Sequence, residues 1–133
     1  MSHIQIKSLK KSFGIVDAVK NINFDIDDGQ FVVLVGPSGC GKTTTLRMLA
    51  GFEDPTDGEI LIGNKVVNDI EPGKRGIGMV FQNHALFPNK TVEDNIKFGL
   101  RMKKVSASEM EQKVAEVAEL VQIGHLLKKM PFQ

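Results

Sequence analysis

Apolar and polar residues alternate in two stretches near the N-terminus, 3–9 (Ile4, Ile6 and Leu9 against Gln5, Lys7 and Ser8) and 20–27 (Ile22, Phe24, Ile26). Such alternation puts the apolar set on one face of a strand, so both stretches are expected to be half-buried β-strands. Asp28-Gly29 supplies a turn after the second. The pattern then changes. Phe31-Val32-Val33-Leu34-Val35 is apolar at every position, the expectation for a parallel strand buried on both faces. Residues 43–50 follow helical spacing through Leu46, Leu49 and Ala50, with Gly51 as the stop. Residues 59–62 and 65–67 read as a hairpin about Gly63-Asn64, and 78–81 as one more apolar strand.

Beyond Gln82 the pattern turns helical. Thr91 with Asp94 forms a capping box, and Val92 and Ile96 share a face. Ser106 with Glu109 opens a second helix, whose Met110, Val114, Val117 and Val121 are expected to form one buried stripe. Gly124 should end it, and Pro131 should stop the short segment that follows. No internal repeat, low-complexity tract or Gly/Ser-rich linker interrupts this order.

Composition narrows the function classes. Seventeen basic and sixteen acidic residues leave a net charge of +1. The balance is local as well: four of each sign in 1–35, eight of each in 36–102, five against four in 103–133. A nucleic-acid partner is therefore not expected. With 41% apolar and 25% charged residues, a globular domain is expected rather than disorder. The apolar runs are too short for a membrane span, and the N-terminus lacks the pattern of a signal peptide. A single cysteine, Cys40, excludes an internal disulfide. These features together predict a soluble cytosolic chain. Trp and Tyr are absent and all eight aromatic residues are Phe, so any stacking role falls to a Phe.

The chemistry concentrates in one loop. Gly36-Pro37-Ser38-Gly39-Cys40-Gly41-Lys42-Thr43 fits G-x-x-x-x-G-K-[ST] in full. Its glycines let the loop curl with N–H groups pointing inward, and the following helix adds its uncompensated N–H groups and positive dipole end. Gly36, Ser38, Gly39, Cys40 and Gly41 are the candidate cradle. Lys42 can reach the β- and γ-phosphates, the Thr43 hydroxyl can ligate Mg²⁺, and Thr44 can bind a more internal phosphate oxygen. Cys40, at a helix start, reads mainly as a small space-filling residue.

The surroundings of this loop resemble the N-terminal half of an ABC transporter ATPase subunit, near the bacterial sugar, glycerol-phosphate and polyamine importers. Leu46-Arg47-Met48-Leu49-Ala50-Gly51 is similar to the family's phosphate-loop helix and Asp57-Gly58-Glu59-Ile60 to its next strand. Met79-Val80-Phe81-Gln82, with Ala85-Leu86-Phe87-Pro88, Thr91-Val92, Asn95-Ile96 and Phe98-Gly99-Leu100, resembles its Q-loop segment. The resemblance implies an α/β fold: an incomplete P-loop NTPase (RecA-like) core with an antiparallel β subdomain and the start of a helical subdomain. It divides the chain into 1–82, core and β subdomain, and 83–133, the Q-loop continuation and first helical-subdomain residues.

Carried over by position, the resemblance implies ATP and Mg²⁺ as ligands. Gln82 is then the Q-loop glutamine, touching Mg²⁺ or the attacking water, and with Lys42 makes the catalytic pair. Phe13 stands where the family has an adenine-stacking Tyr or Trp, with a plain core Phe as the alternative. Val16 and Ala18 would line the other edge of the base site. His84 and His125 match no family site. Expected partners are membrane permease subunits, through the segment after Gln82, and a second ATPase subunit. The expected location is the cytoplasmic face of the membrane, as a peripheral protein. The signature L-S-G-G-Q, the Walker B strand with its catalytic Glu, and the switch histidine region are not in these residues. The expectation is thus a transport ATPase truncated before its hydrolytic residues. The alternatives are a non-hydrolysing nucleotide-binding fragment and, more remotely, a small-molecule P-loop kinase. A GTPase would need N-K-x-D, and Asn64-Lys65-Val66-Val67 has Val67 where Asp is required.

Overall fold

The computed structural model describes residues 3–82 and 85–132, which fall into two compact units, Met1–Met79 and Val80–Gln133. In the first unit, strands β1 (Ile4–Phe13), β2 (Val16–Ile26), β3 (Asp57–Ile62) and β4 (Lys65–Val66) form one sheet in the order β2-β1-β3-β4. Every pairing is antiparallel. Helix α1 (Lys42–Ala50) follows the glycine-rich loop and ends at Gly51 in the left-handed region, as its position after the apolar positions predicts.

Ile6 and Leu9 are three apart, yet both are buried, which strict alternation forbids. A register shift between them resolves the conflict. Ser8 takes a left-handed φ of 49°, and its N–H donates to the Asn23 side-chain oxygen at 2.7 Å. The bulge turns Leu9 back to the core face. There Ile6, Leu9, Val19 and Ile60 of the sheet meet Met48 of α1 and Val67. Completely burying side chains such as Leu9 and Met48 contributes about 1.5–3 kcal/mol each. The hairpin about Gly63-Asn64 forms as expected, with both turn residues at positive φ, the requirement of a two-residue turn between twisted strands.

Two expected strands are absent among the described residues. The segment 31–35 has no regular structure, with Phe31 93% and Val35 88% exposed. Residues 78–81 are likewise irregular, with Val80 97% exposed. A parallel strand takes its hydrogen bonds from parallel neighbours, and the sheet here is wholly antiparallel with neither segment in it. Apolar character alone does not make a strand.

In the second unit, α2 (Val92–Met102) and α3 (Ala107–Leu120) start at their expected caps. The Asp94 N–H donates to Thr91 Oγ1 at 3.1 Å and the Glu109 N–H to Ser106 Oγ at 3.4 Å. The buried stripe of α3 differs from the expected one. Val114 and Ala118 are buried, whereas Val117 and Val121 are exposed. Burial repeats at a spacing of four, not three. Val117 and Leu120 instead line, with Ile96 and Leu100, an apolar cleft of about 370 Å³. Helix α3 also ends at Leu120, before Gly124, because Gln122 takes the left-handed turn at φ 59°. Gly124 instead starts a single 3₁₀ turn, Gly124–Leu126.

Candidate functional site: a phosphate loop beside an antiparallel hairpin

The loop between residue 35 and α1 packs against β2, and its glycines show how closely. Gly41 sits at φ 91°, and a Cβ there would lie 2.4 Å from the Ala18 carbonyl oxygen. Only glycine fits both the conformation and the space. Helix α1 then begins with no side-chain cap and no acidic residue in its first turn. Its first N–H groups, which have no intrahelical acceptors, keep their partial positive charge. Thr45 closes the turn by donating its hydroxyl to the Gly41 carbonyl at 2.9 Å.

Lys42 is the only charged side chain between positions 36 and 44. Its ammonium folds back over the loop, donating to the Gly36 and Pro37 carbonyls at 2.7 Å each. It also lies 3.3 Å from Cys40 Sγ. Uncapped helix N–H groups and one ammonium beside a glycine-rich loop form a donor set that fits an oxyanion, a phosphate above all. Thr43 and Thr44 stand in the same first turn. Among the described residues no group of three or more His, Cys, Asp or Glu side chains could hold a metal. A cation here would rest on the Thr43 hydroxyl and the anion it accompanies.

A cleft of about 650 Å³ opens beside the loop. Ala18 and Lys20 of β2 line one side, and Val35, Gly39, Gly41 and Lys42 the other. Asp17 also faces it. The Ser12 hydroxyl donates to the Asp17 carboxylate at 2.6 Å, and that bond holds Asp17 below the usual carboxylate range. Phe13 and Val16 pair across the tip of the β1–β2 hairpin, where Phe13 is 49% exposed. The structure thus brings Gly39, Cys40, Gly41, Lys42 and Ala18 to one cleft, leaves Gly36, Ser38, Thr43 and Thr44 out of its lining, and sets Phe13 and Val16 at the hairpin's tip. Gln82 is an exposed residue of the second unit. His84 lies outside the described residues, and His125 lies in the turn Gly124–Leu126.

Arg75, which sequence reading passed over, stabilises the far end of α1. The residue is 6% exposed. Its guanidinium donates to the carbonyls of Met48 (2.8 Å) and Leu49 (3.1 Å), the C-terminal acceptors of α1, and of Asn68 (2.9 Å) and Ile70 (2.6 Å). Burial draws its pKa below the ordinary arginine range, and Asp54 partly offsets this. Gly51 makes room, since a Cβ there would stand 2.7 Å from Arg75 Nε. No periodicity marks such an arginine; a single basic residue among Gly and Lys looks solvated.

In the second unit the segment after Gln82 is tied to α2 by Asn95. Its amide donates to the carbonyls of Phe87 (3.1 Å), Lys90 (3.2 Å) and Thr91 (2.9 Å), and its oxygen accepts the Phe87 N–H at 2.8 Å. Phe87 and Phe98 rings meet at 4.6 Å between centroids, tilted by 53°. Phe87 and Leu86 nonetheless remain partly open to solvent. No helix among the described residues is long and apolar enough to cross a membrane.

Known proteins resemble this chain in sequence and fold. The chain is 53% identical over 131 residues to the maltose/maltodextrin import ATP-binding protein MalK of Mannheimia succiniciproducens, covering 98% of this chain and 35% of that protein. It is 51% identical to the protein of the same name from Yersinia pestis bv. Antiqua (strain Antiqua), covering 98% of this chain and 36% of the relative. The chain therefore spans about a third of the length of the curated relatives it matches. Among solved structures, the ATP-binding cassette MJ0796 in a dimeric post-hydrolysis state with ADP and Pi superposes with a TM-score of 0.87 at 29% identity. That match covers 98% of this chain and 62% of the other. A small-molecule kinase is not favoured by any of these. The family description "ABC transporter" matches residues 19–132, and the chain belongs to the ABC transporter family.

Proposed function

We propose that the first unit binds the triphosphate of MgATP and that the protein carrying this chain is the ATPase subunit powering solute import. The carrying observation is the glycine loop closed on an uncapped helix start, with Lys42 as its single charge. Gly36, Ser38, Gly39, Cys40 and Gly41 supply the cradle, Lys42 meets the β- and γ-phosphates, and Thr44 a more internal oxygen. The Thr43 hydroxyl would hold Mg²⁺, which when bound neutralises phosphate charge. Phe13 offers its ring to adenine, with Val16 and Ala18 beside it. The name shared by the relatives points to maltose or maltodextrin as the class of imported solute.

The segment from Gln82 to Asn95 is the proposed docking surface for permease subunits. Its support is the partly exposed Leu86 and Phe87, held in place by the Asn95 amide. A second ATPase subunit completes the assembly, on the cytoplasmic face of the membrane. Lys42→Ala should weaken MgATP binding by at least about 1.5 kcal/mol, more than tenfold, the scale of a charge-assisted hydrogen bond. Unchanged affinity in titration calorimetry overturns the phosphate-loop assignment.

A further inference from the structure

Lys11 and Phe13 lie two residues apart at the end of β1. The Lys11 ammonium stands 4.8 Å from the centroid of the Phe13 ring, inside cation–π range. It is also gripped by other groups. It pairs with the Glu53 carboxylate at 2.7 Å and donates to the Asp54 carbonyl at 2.7 Å. The Lys11 side chain is only 13% exposed, unusual for a lysine, whose ammonium normally stays in water. A carboxylate, a carbonyl and a ring face thus all stand near the ammonium.

Glu53 and Asp54 lie just beyond Gly51 and Phe52, which leave the end of α1 (Lys42–Ala50). One side chain thus connects the ring at the hairpin tip with the chain leaving the phosphate-loop helix. We propose that Lys11 is a positioning residue for base recognition: anchored by Glu53 and the Asp54 carbonyl, it covers one face of the Phe13 ring, fixes the plane of that ring, and leaves the opposite face to the adenine of ATP. This rests on the reading of Phe13 as the base platform. A ring fixed before the ligand arrives loses less freedom on stacking, so Lys11 acts on affinity for the base and not on the phosphates.

The test is titration calorimetry of the whole chain with ATP and with inorganic tripolyphosphate, which has phosphates but no ring to stack. Lys11→Met keeps the aliphatic stem and removes the charge. It should weaken ATP about three- to tenfold, a fraction of the worth of a stacked base, and leave tripolyphosphate unchanged. Lys11→Arg should restore most of the loss, because a guanidinium can both pair with Glu53 and lie on the ring. In a Phe13→Ala background, Lys11→Met should have no further effect on ATP.

Equal loss of both ligands in Lys11→Met, or a loss that adds fully to that of Phe13→Ala, overturns the inference and leaves a structural ion pair. If Phe13→Ala lowers ATP selectively while Lys11→Met does not, the inference falls and the base platform stands. If Phe13→Ala leaves the ratio of the two affinities unchanged, the base platform falls and the role of Lys11 with it.

Discussion

In the first unit, residues distant in sequence make the core, whereas in the second most of the named contacts are close in sequence. Ile6, Leu9, Val19, Met48, Ile60 and Val67 come together only because β1 pairs with both β2 and β3. Its one buried arginine crosses more than twenty positions to reach the end of α1. In the second unit the buried apolar side chains are Val114 and Ala118. Caps at Thr91 and Ser106, the Asn95 clamp and ion pairs on α2 do much of the rest. The exceptions close one ring: the Val92 and Glu93 N–H groups donate to Lys129 and Leu127 carbonyls, and Lys128 pairs with Glu93. A unit built on burial tolerates surface change and fails when a buried donor is lost. A unit built on polar contacts is adjustable by charge and pH.

Three substitutions sharpen this contrast. Arg75→Ala removes the donor from four carbonyls at a nearly closed site and should cost about 3 kcal/mol or more. Hydrogen exchange should show lost protection at the end of α1 and unchanged protection in α2 and α3. Loss spread evenly over both units would erase the distinction. Asn95→Ala leaves the carbonyls of Phe87, Lys90 and Thr91 to water at a half-exposed site, and should cost about 1–2 kcal/mol. Faster exchange at residues 87–91, with β1 and β3 unaltered, is the expected signature.

The smallest effect concerns Glu93. Hydrogen bonds from Lys128 and Lys97 lower its pKa from 4.5 to about 2. The folded value lies below the unfolded one, so the contribution is full above about pH 4.5 and is lost as pH falls through about 2. Lys128 is well exposed, and solvent screening keeps the contribution of the pairs small. Glu93→Gln should therefore lower stability slightly at pH 7 and clearly less near pH 2, as urea titrations at the two pH values would show. A difference undiminished at pH 2 would assign Glu93 a packing role.

Much of the second unit's framework was legible in the residues because its determinants span few positions. Thr91 and Ser106 cap through a side chain reaching the N–H three residues on, and any Thr or Ser at that spacing can do so. The choice of buried face on α3 was not legible. Val114 is compatible with a stripe through Val117 or through Ala118, and the packing of the unit covers the latter. In the first unit the misreading was of another kind. Residues 31–35 carry the pattern of a buried strand, but a pattern states only a need for cover, and the antiparallel sheet does not provide it.

The phosphate loop, the turn at Gly63-Asn64 and the helix starts follow from the sequence by itself. Each depends on backbone angles or on bonds within a few residues, which the local chain dictates wherever it folds. Which apolar residues are covered, and which polar ones are enclosed, was decided only in three dimensions. Lys11, Arg75 and Asn95 look alike in the sequence, as polar residues in ordinary surroundings. Their partners lie on other turns and strands: Glu53, the Met48 and Leu49 carbonyls, the Phe87 backbone. A hydrogen-bond donor gains its role from the acceptor brought to it, and only chain pairing and packing bring distant acceptors within 3 Å or so of a donor.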